Sequence, residues 1–197
     1  MYYKVKVKDT IRIPPNKFSE DLDDVVTQIV QTTFEGTMRK EYGVIVVVDN
    51  IESEGPGIVI HGDGAMYQKV AFDALTFKPE LQEVIDAVVC EIVEFGAFCH
   101  IGPLDALVHM SQIMNDYVEV DSESEVIIGK EKKLTLKKGD VVRARVVAVS
   151  LNELSARESK IGLTMRQPSL GSHEWIYPQV EDVKEKKQEK EKKKGKK

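Results

Sequence analysis

The sequence predicts an α+β domain followed by an all-β barrel of about five short strands, and three observations carry that expectation. Period-two alternation at the N-terminus gives way to one amphipathic helical stretch and then to further strand-like runs. From about residue 81 the helical period vanishes, and short alternating apolar runs broken by glycine-bearing turns replace it. The size fits such a pair: 197 residues, 42% hydrophobic and 31% charged, is ordinary for a globular chain of one large or two small domains.

In the first domain, residues 1–80, Tyr3, Val5 and Val7 alternate with Lys4, Lys6 and Lys8, the mark of a half-buried strand that Pro14-Pro15-Asn16 ends. Phe18, Leu22, Val25, Val26, Ile29 and Val30 then mark one face of a helix. Ser19 is the expected cap, Glu20, Asp21, Asp23 and Asp24 suit the positive end of the helix dipole, and Gly36 is the expected stop. Val44–Val48, Gly57–Ile60 and Val70–Phe77 read as strands, separated by turns at Glu54-Gly55-Pro56-Gly57 and Gly62-Asp63-Gly64. One helix packed on a small antiparallel sheet closes this domain, and Pro79 punctuates its end.

In the second domain, residues 81–177, Val88, Cys90 and Ile92 alternate with Val89, Glu91 and Val93, and Gly96 turns the chain between Phe95 and Phe98. Cys99 and Ile101 are expected to face inward, Phe98 and His100 outward. Gly102-Pro103 turns the chain again before Leu107-Val108-His109-Met110. Val142, Ala144, Val146 and Ala148 form an inward row with Arg143 and Arg145 on the opposite face. Ile161, Leu163 and Met165 form a second, with Lys160, Thr164 and Arg166 outside. An inserted segment at about 115–138 begins acidic, ends basic, and carries Ile127-Ile128-Gly129 and Leu134-Thr135-Leu136, which suggest an extra hairpin. Residues 178–197 hold 9 basic and 5 acidic side chains and almost nothing apolar after Val183, so a charged, lysine-rich disordered tail is expected there.

Several function classes drop out. The longest apolar run, Val44–Val48, is far shorter than the ~20 residues of a membrane helix, and no apolar stretch follows the N-terminal charges as a signal peptide requires. A membrane partner is therefore not expected. Cys90 and Cys99 show no CxxC spacing, which fits a reducing cytoplasm. His61, His100, His109 and His173 are scattered without metal-ligand spacing, so no metal or cofactor is expected. No catalytic constellation assembles either; His61 with Asp63, and His109 with Ser111, lack the supporting groups that acid–base or nucleophilic catalysis needs.

The string Glu94-Phe95-Gly96-Ala97-Phe98-Cys99-His100-Ile101, then Leu107-Val108-His109-Met110-Ser111-Gln112-Ile113, resembles the S1 RNA-binding domain. So does Lys138-Gly139-Asp140-Val141-Val142-Arg143-Ala144-Arg145-Val146, with Ile161-Gly162-Leu163-Thr164-Met165 closing. S1 domains are five-stranded OB-type barrels, in agreement with the strand count. The resemblance implies that Phe95, Phe98 and His109 offer planar groups for stacking single-stranded bases, each contact worth ~1–3 kcal/mol. His100 stands beside Phe98, and Arg143 and Arg145 offer phosphate contacts where their row borders the same groove. A place in the barrel core is the competing reading for Phe95 and Phe98, and alternation favours exposure at Phe98.

A strand–helix–sheet domain of ribonucleoprotein-like type, the turn Ile60-His61-Gly62-Asp63-Gly64, and an S1 barrel with an insertion look like the E-prime family of archaeal DNA-directed RNA polymerase subunits. That family is the counterpart of the seventh subunit of eukaryotic RNA polymerase II. The resemblance implies a non-catalytic stalk protein, forming a heterodimer with the small helical F protein of RNA polymerase and docked by its N-terminal tip to the core subunits. It further implies a part in promoter melting beside a general transcription initiation factor, and contact with nascent single-stranded RNA. Gly55, Gly57, Gly62, Asp63 and Gly64 are the expected core-docking tip loop. For Asp63 an Asx-type turn with no partner role is the alternative. The runner-up function is a stand-alone S1-domain RNA-binding protein acting in translation or RNA decay.

Overall fold

The computed structural model describes residues 1–121, 125–153 and 159–177; the expected charged tail lies outside them. The chain divides into two compact units, Met1–Glu80 with the described part of Ser150–Ser159, and Leu81–Val149 with the described residues from Lys160 on. Among the described residues no helix is long and apolar enough to cross a membrane.

The first unit contains β1 (Tyr2–Ile13), α1 (Leu22–Phe34), β2 (Met38–Arg39), β3 (Gly43–Val59) and β4 (Met66–Phe77). The strands form an antiparallel sheet in the order β1-β4-β3-β2. Val25, Val26, Val30 and Phe34 of α1 pack on Ile11, Ile13, Ile45, Val48, Val70 and Phe72, with the Phe34 and Phe72 rings 4.9 Å apart. The helix starts later than its apolar pattern suggests. Asp21, not Ser19, is the cap, its carboxylate accepting from the Asp23 N–H at 3.0 Å. Pro15–Lys17 instead form a 3-10 turn, which leaves Phe18 outside the helix and exposed. Beyond the helix, Gly36 takes φ +77 and donates its N–H to Ile45 O at 2.8 Å, and the Glu35 carboxylate accepts from Val48 N–H at 3.1 Å.

One expected turn is not a turn. Glu54-Gly55-Pro56-Gly57 lies inside β3, which runs unbroken from Gly43 to Val59 through three register shifts. At the last shift Gly55, Pro56 and Gly57 stand opposite Gln68 alone. The buried Gln68 amide fills the bulge, donating to Gly55 O at 3.0 Å and to Lys69 O at 3.1 Å. A side chain thus supplies hydrogen bonds that the displaced ladder cannot, and the strand continues.

In the second unit β5 (Val84–Val93), β6 (Gly96–His100), β7 (Asp105–His109), β11 (Val141–Ser150) and β12 (Lys160–Thr164) form the expected five-stranded barrel. Closure comes from β12, which pairs with both β7, in parallel, and β11. Ala87, Val89, Ile92, Ala97, Cys99, Val108, Val142, Ala144, Val146, Ile161 and Leu163 fill the interior. The inward row of β11 stops at Val146, because Ala148 is exposed. Thr164 is buried rather than outward-facing, its hydroxyl donating to Gln112 Oε1 at 2.8 Å. The insertion is a three-stranded sheet, β8 (Val118–Asp121), β9 (Val126–Gly129) and β10 (Thr135–Lys137), one strand more than the expected hairpin. Short β13 (Gly171–Ser172) pairs with β11 and leads into the one-turn helix α2 (His173–Ile176).

Candidate nucleic-acid interface and tip

The regular alternation of β6 decides which of its side chains meet solvent. Cys99 is wholly buried, Phe98 is half-buried and His100 exposed on the outer face. Phe95, in the turn before β6, is 50% exposed, and its ring meets that of Phe98 edge-on with centroids 6.1 Å apart. Across the ladder Gly96 pairs with His109, Phe98 with Leu107, and His100 with Asp105. Phe98, His100 and His109 therefore share one face, with Phe95 at its end. His109 Nδ1 accepts from Ser111 N–H at 3.3 Å and lies 2.9 Å from Ser111 Oγ, which orients the ring and places the neutral imidazole's proton on Nε2. His100 is tied through Nδ1 to Asp105.

Two carboxylates join this face, and the sequence pattern did not single them out. Glu91 pairs with Phe98 from β5, and Glu94 precedes Phe95; both are exposed. Their cue was faint, since a bulge at Cys90 shifts the register between Val89 and Glu91 and puts both Val89 and Ile92 inside. Simple alternation cannot anticipate that shift.

Arg143 and Arg145 are not brought to the aromatic rings. They pair with Asp86 and Val84 toward the start of β5, whereas Phe98 and Gly96 pair with Glu91 and Val93 toward its end. Arg143 is also engaged: Nε donates to Asp86 Oδ1 at 2.9 Å and Nη1 to Tyr177 Oη at 2.9 Å, with its guanidinium over the Tyr177 ring. His173 Nε2 lies 3.2 Å from the same Asp86 Oδ1. The Arg143 hydrogen bond holds the Asp86 carboxyl below its ordinary range, so this cluster clasps α2 to the barrel. Arg145 Nε is buried with no hydrogen-bond partner among the described residues.

In the first unit, Gly62 at φ +99 and Gly64 at φ +69 carry the turn between β3 and β4. Asp63 is bonded within its own unit. Arg12 grips it through Nε–Oδ2 at 3.0 Å and Nη2–Oδ1 at 2.7 Å, and Tyr67 Oη donates to Oδ2 at 2.8 Å. These bonds, Arg12's first, lower the Asp63 pKa to about 2. The arrangement staples β1 to the turn and leaves Ile58, Val59 and Ile60 exposed beside it, at 59%, 61% and 49%. That apolar triplet between glycines broke the period-two pattern, a signal that a strand reading passes over. Gly55 lies in the β3 bulge at φ +73, and Gly57 faces Met66, whose Sδ would be 2.4 Å from an added Cβ.

Comparison with known proteins matches both units. Residues 8–64 fit the model of the SHS2 domain found in the N terminus of Rpb7p/Rpc25p/MJ0397, and residues 78–151 that of the S1 RNA binding domain. The DNA-directed RNA polymerase subunit Rpo7 of Saccharolobus solfataricus is 38% identical over 176 residues, 89% of this chain and 97% of that protein. Rpo7 of Sulfolobus acidocaldarius is 37% identical over 180 residues, 91% of this chain and 97% of its own. The DNA-directed RNA polymerase II subunit rpb7 of Dictyostelium discoideum is 26% identical over 171 residues, 83% of this chain and 99% of its own.

Proposed function

Since the chain belongs to the Rpo7 family of DNA-directed RNA polymerase subunits, we propose that it acts as a non-catalytic stalk subunit, gripping nascent single-stranded RNA on the aromatic face of its barrel. The chain is an RNA polymerase subunit of that family with an S1 RNA-binding domain. The two units divide the labour. The tip formed by Ile58, Val59, Ile60 and the stapled Gly62-Asp63-Gly64 turn docks to the polymerase core. The barrel carries Phe95, Phe98 and His109 toward transcript, with His100 beside them. The small helical F protein is the heterodimer partner, and promoter melting with a general transcription initiation factor is the role at initiation. Arg143 and Arg145 take a lesser part in RNA contact, Arg143 because Asp86 and Tyr177 already hold it.

The observation that carries this reading is the edge-on Phe95–Phe98 pair on a face shared with His109. Phe95 is exposed and Phe98 half-buried on the outer face, and bases stack on such rings without demanding a sequence. The test is fluorescence anisotropy of a labelled single-stranded RNA with Phe95→Ala/Phe98→Ala. Each lost stack is expected to weaken binding by ~1–3 kcal/mol, while assembly with polymerase stays intact. Unchanged RNA affinity overturns the stacking face. Because relatives matched over nearly their whole length are polymerase subunits, the stand-alone translation or decay reading has no observation in its favour.

A further inference from the structure

The second unit carries a half-open cleft of about 410 Å³ that none of the roles above uses. Met114 and Leu134, before and within the inserted sheet region, line one side; Pro168 and Trp175, from the chain after β12, line the other. Trp175 is fixed in place. Its indole Nε1 donates to Thr135 O at 3.1 Å, and its ring covers Gly171, where an added Cβ would lie 2.7 Å from the ring. The wall is therefore held in shape before anything binds.

Lys132 and Arg166 also line the cleft, and no acidic residue does. Arg166 directs Nε and Nη2 to the neutral Asn115 Oδ1, at 3.2 and 2.8 Å. Neither cation forms an ion pair among the described residues. An apolar hollow rimmed by two such cations, on a chain of net charge -5, is complementary to an apolar side chain carried close to a carboxylate.

The occupant fits a protein better than an RNA. The Pro168–Trp175 wall follows β12, the strand that closes the barrel, and lies outside the S1 match at residues 78–151. An aligned stretch covering 89% of the chain nevertheless includes that wall, which places it within the match to the S. solfataricus polymerase subunit. Beside the single ring of Trp175, the methionine, leucine and proline walls offer aliphatic packing.

We propose that this cleft is a docking site for a segment of another polymerase subunit, one that inserts an apolar anchor and sets an Asp or Glu beside it against Lys132 and Arg166. The proposal rests on the polymerase role above. The experiment places a photo-crosslinking benzoylphenylalanine at Pro168 of the full chain and reconstitutes it with purified polymerase lacking this subunit. The expected adduct is one peptide of a polymerase subunit, with an acidic residue within a few positions of an apolar one. Lys132→Glu/Arg166→Glu is expected to cut adduct yield about tenfold at low salt, and by less as salt screens the contact. Lys132→Arg/Arg166→Lys retains it. An adduct on RNA, no adduct in an assembled complex, or an unchanged yield in the charge-reversed variant overturns the proposal. Unaltered Trp175 fluorescence shows that the variants fold. A chain that never joins the polymerase overturns the stalk role itself, an outcome distinct from assembly without an adduct.

Discussion

At Gly96 the backbones of β6 and β7 approach so closely that an added Cβ would lie 2.2 Å from Val108 O and 3.1 Å from His109 Cα. Gly96→Ala must therefore push the hairpin apart beneath the RNA face. Thermal unfolding should show a loss of about 1–3 kcal/mol, the usual cost of overpacking, with weaker RNA binding alongside. Asp63 sets a pH window instead. Its pKa falls from 3.8 unfolded to about 2 folded. The stabilisation from its Arg12 and Tyr67 bonds is therefore complete above 3.8 and lost as pH falls toward 2. Amide signals of Gly62 and Gly64, followed by NMR through that range, should broaden or shift in the native chain; in Asp63→Asn they should already be altered at neutral pH. Cys99 makes the opposite case: burial lifts its thiol to about 12. It should resist alkylation at neutral pH until the barrel is unfolded, while the half-buried Cys90 reacts first.

Strands β5, β6 and β7 contain no lysine or arginine anywhere along their length. On the proposed stacking face, RNA would be gripped by rings and hydrogen bonds, with Glu91 and Glu94 repelling phosphate nearby. Each neutralised phosphate of a single strand contributes about 0.7 to the slope of log affinity against log salt. A titration should accordingly give a slope of magnitude below about 2; a steep slope would mean that cations elsewhere carry the binding. At this scale the sequence was legible where strands keep strict alternation. Cys99 inside with Phe98 and His100 outside follows from period two alone. It failed where a bulge changes phase, at Cys90 in β5 and at Gly55–Gly57 in β3, because a bulge is set by the partner strand and by fillers such as Gln68. The helix start slipped for a local reason: the Asp21 carboxylate takes the cap, and the prolines before it build a 3-10 turn.

Across the whole chain the two units call for a double dissociation. Gly62→Val or Gly64→Val forces a β-branched residue into positive φ and distorts the tip. Such variants should impair reconstitution with polymerase while leaving RNA affinity unchanged; the Phe95→Ala/Phe98→Ala chain should do the reverse. Loss of both properties in either variant would defeat the division of labour. The two-domain order and the barrel class were readable from composition and period, because each unit buries its own core. The Asp86 clasp and the Trp175 wall were not, since both join residues far apart in sequence. The parallel pairing of β12 with β7 adds a consequence for synthesis. The sheet of the first unit has all its strands once Phe77 has emerged, whereas the barrel stays open until Thr164 does. At translation rates of roughly 5–20 residues per second, the 55 residues from His109 to Thr164 take about 3–11 seconds. Through that interval the unpaired edge of β7 is a template for wrong partners, so chaperone demand in the cell should fall on this half of the nascent chain.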